Sequence, residues 1–301
     1  MSTLLWGPDE ARIEASNMYH FMSYVNRRYE KDFRTYNDLY RWSITEISDF
    51  WSSMWEYGEI ICSSPFDEVV DDYTVMPGAS WFKGARLNFA ENLLRYRDDR
   101  IALRFKGEGK PLVSTTYAEL YDCVARLAQS LHDMGIGAGE RVIGFMPNMT
   151  ETVIAMLATA SLGAIWSSCS PDFGIKGVLD RFGQISPRVL FTSDGYSFNG
   201  KKINSLERIA TVVKEIASVE RVVVVPYINP DPIIAQIPLG VMFEDFLSKE
   251  RGLKLAFKQL PANHPLYIMY SSGTTGVPKC MAHGIAGTLV QHLKELNPIR
   301  M

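Results

Sequence analysis

From residue 100 onward the chain repeats one pattern, a short apolar run rich in β-branched residues, a turn, then a helical segment. "RIALRFKG", "RVIGFMPN", "AIWSSCSP", "RVLFTSD" and "VERVVVVPYI" read as strands, with "ETVIAMLATASLG", "IKGVLDRFGQIS" and "INSLERIATVVKEIAS" as helices between them. Thr116 and Glu119 make a capping box for a further helix, whose apolar positions Leu120, Val124, Leu127, Leu131 and Met134 share one face up to a stop at Gly135. Strands that are apolar on both sides cannot lie against water. They require a mostly parallel sheet with helices on both faces. The expected fold is therefore α/β, layered, and able to bury a sizeable core in 301 residues.

Residues 1–95 have a different texture and hold five of the six tryptophans: Trp6, Trp42, Trp51, Trp55 and Trp81. In "SITEISDFWSSMWEYG", Ser43 and Glu46 have capping-box spacing, Ile47, Phe50, Trp51, Met54 and Trp55 form one face, and Gly58 supplies a stop. A stripe of this kind is expected to dock the helix onto a larger body. The chain thus divides into an aromatic-rich helical block, 1–95, and an α/β region, 96–301, with the three prolines of "INPDPIIAQIP" marking a surface connection in the latter.

Several classes are excluded. The 31 basic and 34 acidic residues are mixed along the chain, net charge −3, with no basic patch to hold nucleic acid. The four cysteines (Cys62, Cys123, Cys169, Cys280) are widely spaced with no CxxC pair, which suggests neither zinc nor disulfides and fits a reducing compartment, the cytosol. "MSTLLWGPDEARIEA" has no basic start and turns acidic at Asp9 and Glu10, unlike a signal peptide. Residues 152–171 carry no charge and are long enough to cross a bilayer. Their Thr, Ser and Gly content and the break at Gly163 read instead as a buried helix running into a buried strand, with no membrane span.

The chemistry is concentrated in "YIMYSSGTTGVPKCMAHG", residues 267–284. "HPLYIMYSS" enters as a buried strand, and the Gly/Ser/Thr run that follows offers backbone N–H groups at close approach together with hydroxyls, which suits phosphate oxygens. Lys279 adds a point charge for a β- or γ-phosphate. The run is not a Walker loop: counting from Gly273, Pro278 stands where the second glycine belongs and Cys280 replaces the magnesium-binding Ser or Thr. "KCMAHG" reads as a second strand, so the loop joins strand to strand. A solvated linker is the competing reading. The shortness of the run, the buried strand before it and the proline–lysine pair after it favour phosphate.

"YSSGTTGVPK" resembles the phosphate-loop signature of the adenylate-forming superfamily: acyl-CoA synthetases, luciferases and peptide-synthetase adenylation domains. "TTYAEL" and "RVIGFMPNMTETVIAMLATASLGAIW" fit the early core of the same superfamily. "WFKGARLNFAENLLR" resembles its short-chain branch, the acetyl- and acetoacetyl-CoA synthetases, and "WSSCSPDFG" with "PKCMAHGIAGTLVQHLKE" is most similar to the acetoacetyl group. The resemblance implies a two-step acid–thiol ligase using ATP, Mg²⁺ and coenzyme A. Acetoacetate would become an acyl-adenylate and then a thioester. It also implies backbone and hydroxyl contacts to ATP phosphates from Ser271, Ser272, Gly273, Thr274, Thr275 and Gly276, and charge from Lys279.

In short-chain relatives an arginine-glycine turn after the "TSD" strand contacts the nucleotide end of coenzyme A. Here "YSFNGKKI" keeps Gly200, has Lys201 in place of one arginine and Phe198 in place of another, so Gly200 and Lys201 are the coenzyme candidates, against a plain solvated turn. His283, on the strand beyond the loop, is expected to be structural, with shaping of an acyl pocket as the alternative. The resemblance further implies that the adenine, ribose and magnesium segments and the C-terminal lysine of such enzymes lie beyond the region covered here. No complete catalytic set and no metal site are then expected, and the chain reads as an incomplete N-terminal domain, inactive alone. Acetyl- or propionyl-CoA synthesis, or a non-catalytic role, are the alternatives. The strand "PLYIMYSS" is expected to keep an unpaired edge open to association, leaving Leu266 and Ile268 wet.

Overall fold

The computed structural model describes residues 6–271 and 276–296, in two compact units: 6–87 with 261–263 and 285–296, and 88–260 with 264–271 and 276–284. The expected phosphate contacts Ser272, Gly273, Thr274 and Thr275 lie outside the described residues.

The first unit begins with α1 (Glu10–Glu14), α2 (Asn17–Tyr29), α3 (Tyr36–Thr45) and α4 (Ile47–Tyr57), followed by β1 (Cys62–Ser64), β2 (Glu68–Val70), β3 (Trp81–Lys83) and β4 (Arg86–Leu87). The sequence pattern predicts one helix starting at Ser43; the structure has two that meet at Glu46. The reason is a better capping box upstream. The Thr35 hydroxyl accepts the Asp38 N–H at 3.3 Å while the Asp38 carboxylate accepts the Thr35 N–H at 2.9 Å, so the helix starts at Tyr36. Ser43 is already helical and donates to the Tyr40 carbonyl, and Glu46 makes no side-chain cap. The aromatic stripe packs within its own unit. Met54 and Trp55 are buried, Phe50 meets Phe21 and Trp42 edge-on, and Trp55 packs 4.9 Å from Phe82. Gly84 is required where it stands: at φ +87° a Cβ would lie 2.2 Å from the Asp67 carboxylate.

The second unit opens with α5 (Phe89–Leu93), held by the buried side chain of Asn88. Its amide donates to the Ala160, Ser161 and Lys258 carbonyls and its oxygen caps Glu91. β5 (Ile101–Phe105) does not join the main sheet, as the strand–helix alternation suggests, but folds back on β6 (Val113–Thr116) as an antiparallel hairpin. The turn residues at Gly107–Gly109 allow the reversal, with Gly109 at φ +69°. α6 (Tyr117–Asp133) then starts at the expected capping box of Thr116 and Glu119 and ends before Gly135 at φ +74°.

Next come β7 (Arg141–Phe145), α7 (Thr150–Ser161), β8 (Ile165–Cys169), α8 (Ile175–Phe182), β9 (Val189–Ser193), the pair β10 (Gly195–Phe198) and β11 (Lys201–Asn204), α9 (Leu206–Glu215), β12 (Arg221–Val225), β13 (Gly240–Met242), α10 (Phe243–Phe246), β14 (Leu260–Pro261), β15 (Pro265–Ser271) and β16 (Lys279–Gly284). The last helix, α11 (Ile285–Leu296), belongs to the first unit. Residues 152–171 are α7 running into β8, and among the described residues no helix is long and apolar enough to cross a membrane.

The main sheet has the order β13-β12-β9-β7-β8-β15-β16, parallel throughout except for β15 against β16. α8 and α9 cover one face, packing Val178, Phe182, Ile209 and Val212 on Ile143, Leu190, Val222 and Val224. The opposite face carries Phe191, which meets Phe246 of α10 edge-on. β15 is not left with an open edge: β8 pairs on one side and β16 on the other, and Leu266 is buried with Ile268 half-buried. The chain's own return strand supplies the partner that was expected from elsewhere.

Candidate functional site

In a parallel sheet the loops that carry chemistry leave the carboxyl ends of the strands, and they gather where the strand order reverses. Here the order reverses around β7, with β8 on one side and β9 on the other. The connections after β7, β8, β9, β12 and β15 therefore share one rim of the sheet. They contain Pro147 and Asn148, Ser170 and Pro171, the β10–β11 pair, residues 226–229, and the glycine-rich loop.

The glycine-rich loop joins β15 to β16 as an antiparallel hairpin, strand to strand as the sequence predicts, with Ser271 opposite Lys279 and Tyr270 opposite Cys280. Register thus brings the first and last candidate phosphate contacts together at the loop's neck. Lys279 is exposed, Ser271 half-buried, and Gly276 sits at φ +103°, a conformation that L side chains rarely adopt. A tether that the sequence did not reveal holds the exit: the Gln184 amide, beyond the end of α8, donates to the Pro278 carbonyl at 2.9 Å. His283 is exposed and lies ring to ring with Tyr267 at 5.4 Å.

Beneath β15 lies a hollow of about 520 Å³ whose walls include Trp166, Cys169, Phe173, Arg181 and Tyr270. The Arg181 guanidinium stacks 4.2 Å over Phe173 and donates to the Gly177 carbonyl. Burial pushes the Tyr270 hydroxyl up to about 12 and the Cys169 thiol up to about 12, so both stay protonated. Ser167 fixes the phenol, its hydroxyl 3.1 Å away while donating to the Ile268 carbonyl. The hollow is apolar with one cation at its wall and contains no activated nucleophile.

The second candidate region is the β10–β11 hairpin. Asn199 and Gly200, at φ +52° and +76°, form a tight two-residue turn between Phe198 and Lys201. The Gly200 N–H donates to the Glu108 carboxylate, which pins the turn to the loop after β5. The turn closes a hollow of about 650 Å³ lined by Gly200, Ser197, Lys110, Tyr227 and Lys202 among others. Of the two sequence candidates Gly200 lines it, whereas its neighbour Lys202 does so in place of Lys201. Phe198 is exposed, where the resemblance puts an arginine. A smaller hollow of about 530 Å³, between Pro147, Ser170, Pro171 and Tyr196, shares Ser197 and Tyr227 with the first. Asp194 directly follows β9, the strand that leads into this hairpin. Its carboxylate, 1% exposed, accepts the N–H groups of Tyr227, Ile228 and Asn229 at 2.6, 2.9 and 2.9 Å. An Asp directly after a buried strand is a local signal for such a role; nothing local marks Lys110.

The α/β sheet, the strand-to-strand glycine-rich loop and the shared rim define an adenylate-forming enzyme's N-terminal region. The chain belongs to the AMP-binding enzyme family, whose model matches residues 89–299, and a model described as the acetyl-coenzyme A synthetase N-terminus matches residues 36–93. Among similar proteins, acetoacetyl-CoA synthetase of Gallus gallus is 48% identical over 302 residues, which is 98% of this chain and 45% of that protein. A malonamoyl-CoA synthetase of Penicillium aethiopicum is 42% identical, covering 94% of this chain and 41% of its own length. The solved structure of acetoacetyl-CoA synthetase from Streptomyces lividans matches with a TM-score of 0.92 at 37% identity, over 98% of this chain and 45% of that one. The chain spans less than half the length of these relatives.

Proposed function

We propose that this chain carries the ATP-phosphate and coenzyme-binding part of an acid–thiol ligase acting on acetoacetate in the cytosol. The observation that carries the reading is the β15–β16 hairpin, which sets Lys279 and the glycine-rich loop on the rim that the coenzyme candidates also occupy. In the first step a carboxylate oxygen of acetoacetate attacks the α-phosphorus of ATP, the bond to the β-phosphate oxygen breaks, and pyrophosphate leaves. Charge grows on the departing oxygens, and an ammonium together with backbone N–H and hydroxyl donors would stabilise it. Lys279 and Ser271 through Gly276 are the proposed donors. In the second step the coenzyme A sulfur attacks the acyl carbonyl and AMP departs.

Gly200 and Lys201 are proposed at the nucleotide end of the coenzyme, with the hollow between Pro147 and Pro171 as the route of its arm toward the acyl group. Magnesium is the counter-ion expected for ATP phosphates. Among the described residues no three His, Cys, Asp or Glu side chains are grouped to hold a metal, so no step is assigned to it here. The four free cysteines agree with a reducing compartment. The acyl preference rests on the similarity to acetoacetyl-CoA synthetases, and the malonamoyl relative names one competitor, with an amide in place of the methyl ketone. Carboxylate-dependent exchange of labelled pyrophosphate into ATP, run in the protein that carries this chain, tests the reading. Acetoacetate should support exchange well above acetate, propionate or malonamate; equal exchange with acetate would overturn it.

A further inference from the structure

The end of α8 reaches both arms of the glycine-rich loop at its neck. Gln184, two residues past the helix, donates through its side-chain amide to the Pro278 carbonyl at 2.9 Å and to the Asp180 carbonyl. These bonds use both N–H donors of the amide, so it is held by the helix on one side and by the loop exit on the other. Three residues earlier, the Arg181 guanidinium lies 5.8 Å from the ring centroid of Tyr270, the residue before Ser271. The element that presents these side chains is firmly seated. Val178 and Phe182 of α8 are fully buried against the sheet, and the Gly183 and Gln184 N–H groups still bond back to the Leu179 and Arg181 carbonyls.

The carbonyl that Gln184 holds belongs to the peptide unit joining Pro278 to Lys279. That unit is planar, so fixing its oxygen fixes the plane from which the Lys279 backbone departs. Pro278 itself has no N–H with which to anchor the exit, and the strand ladder begins only at the pairing of Ser271 with Lys279. Lys279 is exposed, and a flexible four-carbon stem separates its backbone from its charge. Any turn of the backbone is therefore magnified at the ammonium. A side chain on a packed helix can hold such a point more tightly than the loop can hold itself.

We propose that Gln184 is a positioning residue for Lys279, acting through the Pro278 carbonyl and touching no substrate itself. This role rests on the reading of the β15–β16 loop as a grip for the departing phosphates.

Two measurements separate this role from the reading it rests on. Amide exchange in the 301-residue chain reads the tether with no substrate present. Gln184→Ala, at an exposed side chain, should speed exchange at residues 279–281 by about three- to tenfold, the range that one net hydrogen bond transmits. Half-reaction rates in the protein that carries this chain read the function. Gln184→Ala should slow acyl-adenylate formation from ATP and acetoacetate by about three- to tenfold through kcat, with KM for acetoacetate unchanged. Thioester formation from preformed acetoacetyl-adenylate should stay within about twofold of the parent. Gln184→Glu keeps the length but sets a carboxylate oxygen against the Pro278 carbonyl, and should be at least as slow. In a Lys279→Ala background, Gln184→Ala should add no further loss, because it acts only through that lysine. Unchanged exchange and unchanged rates would overturn the role, as would a loss that adds in full to that of Lys279→Ala. Faster exchange with an unchanged first half-reaction would overturn the positioning and leave the loop reading standing. If the parent forms no acyl-adenylate the ligase reading falls, while faster exchange in Gln184→Ala still supports the hold on the loop.

Discussion

Replacing Asp194 by alanine should destabilise the second unit far more than an average substitution. The carboxylate is 1% exposed and accepts three backbone N–H groups, at 2.6, 2.9 and 2.9 Å. Without it one buried and two part-buried donors lose their acceptor, at about 1–3 kcal/mol for the buried one and less for the others. Against that, the unfavourable burial of one charge disappears. The net should fall near the value for breaking a buried charged interaction, about 3–5 kcal/mol, a large share of the roughly 5–15 kcal/mol that holds a domain together. Asp194→Asn is the informative companion. Tyr227 and Ile228 both donate to one oxygen, Oδ1, and Asn229 donates to the other, Oδ2. An asparagine oxygen can keep the first two bonds while its amide opposes the third N–H, so its cost should be about 1–3 kcal/mol. Urea unfolding followed with native-state amide exchange at residues 227–229 would measure both. Stability should fall in the order Asp, Asn, Ala, with exchange at the three amides accelerated most in the alanine variant. Loss of less than about 1 kcal/mol in Asp194→Ala would refute the view that this carboxylate holds the turn.

Three further outcomes follow from the geometry. Gly84→Ala should lower the first unit's stability by about 1–3 kcal/mol, because φ is +87° and the new Cβ would meet the Asp67 carboxylate at 2.2 Å; a thermal melt within error of the parent would contradict this. Alkylation at pH 8 should label exposed Cys280 and spare Cys169, whose thiol burial pushes up to about 12, until denaturant is added; labelling of Cys169 in the folded protein would show that β8's end is open. Burial raises the Tyr270 phenol to about 12 in the folded state, against about 10 when unfolded, so the stability it contributes is full below pH 10 and is lost as pH rises through 12. Urea midpoints between pH 9 and 12 should fall less steeply in Tyr270→Phe than in the parent; Tyr24, also pushed up to about 12 by burial and its bond to Glu56, adds a slope of the same sign.

The sheet was readable from sequence because its strands are apolar without alternation, and β9 and β12 are indeed buried along nearly their whole length. The capping box at Thr116 was readable for the same reason that it works: both partners lie within one turn. Ser43 and Glu46 show the limit of local matching, since an equally local pair, Thr35 and Asp38, started the helix earlier and left Ser43 in its interior. β5 was misplaced because an apolar run does not say which partner it will find. At the candidate site, the Gly/Ser/Thr run and Lys279 are contiguous and could be seen. Lys110, Asp194, Lys202 and Tyr227 come from four separate segments and meet only through the fold. Only Asp194, placed directly after a buried strand, carried any sign of its role.

The β15–β16 loop is proposed to grip the phosphates that leave in the first half-reaction. The most direct measurement compares the two half-reactions in Lys279→Ala, made in the protein that carries this chain. Acyl-adenylate formation from ATP and acetoacetate should slow by about 10²–10³, the loss seen when one fixed donor to a developing charge is removed. Thioester formation from preformed acetoacetyl-adenylate and coenzyme A should stay within about threefold of the parent, because the pyrophosphate has already left and no departing charge faces the lysine. An equal fall in both half-reactions, or in neither, would contradict the account.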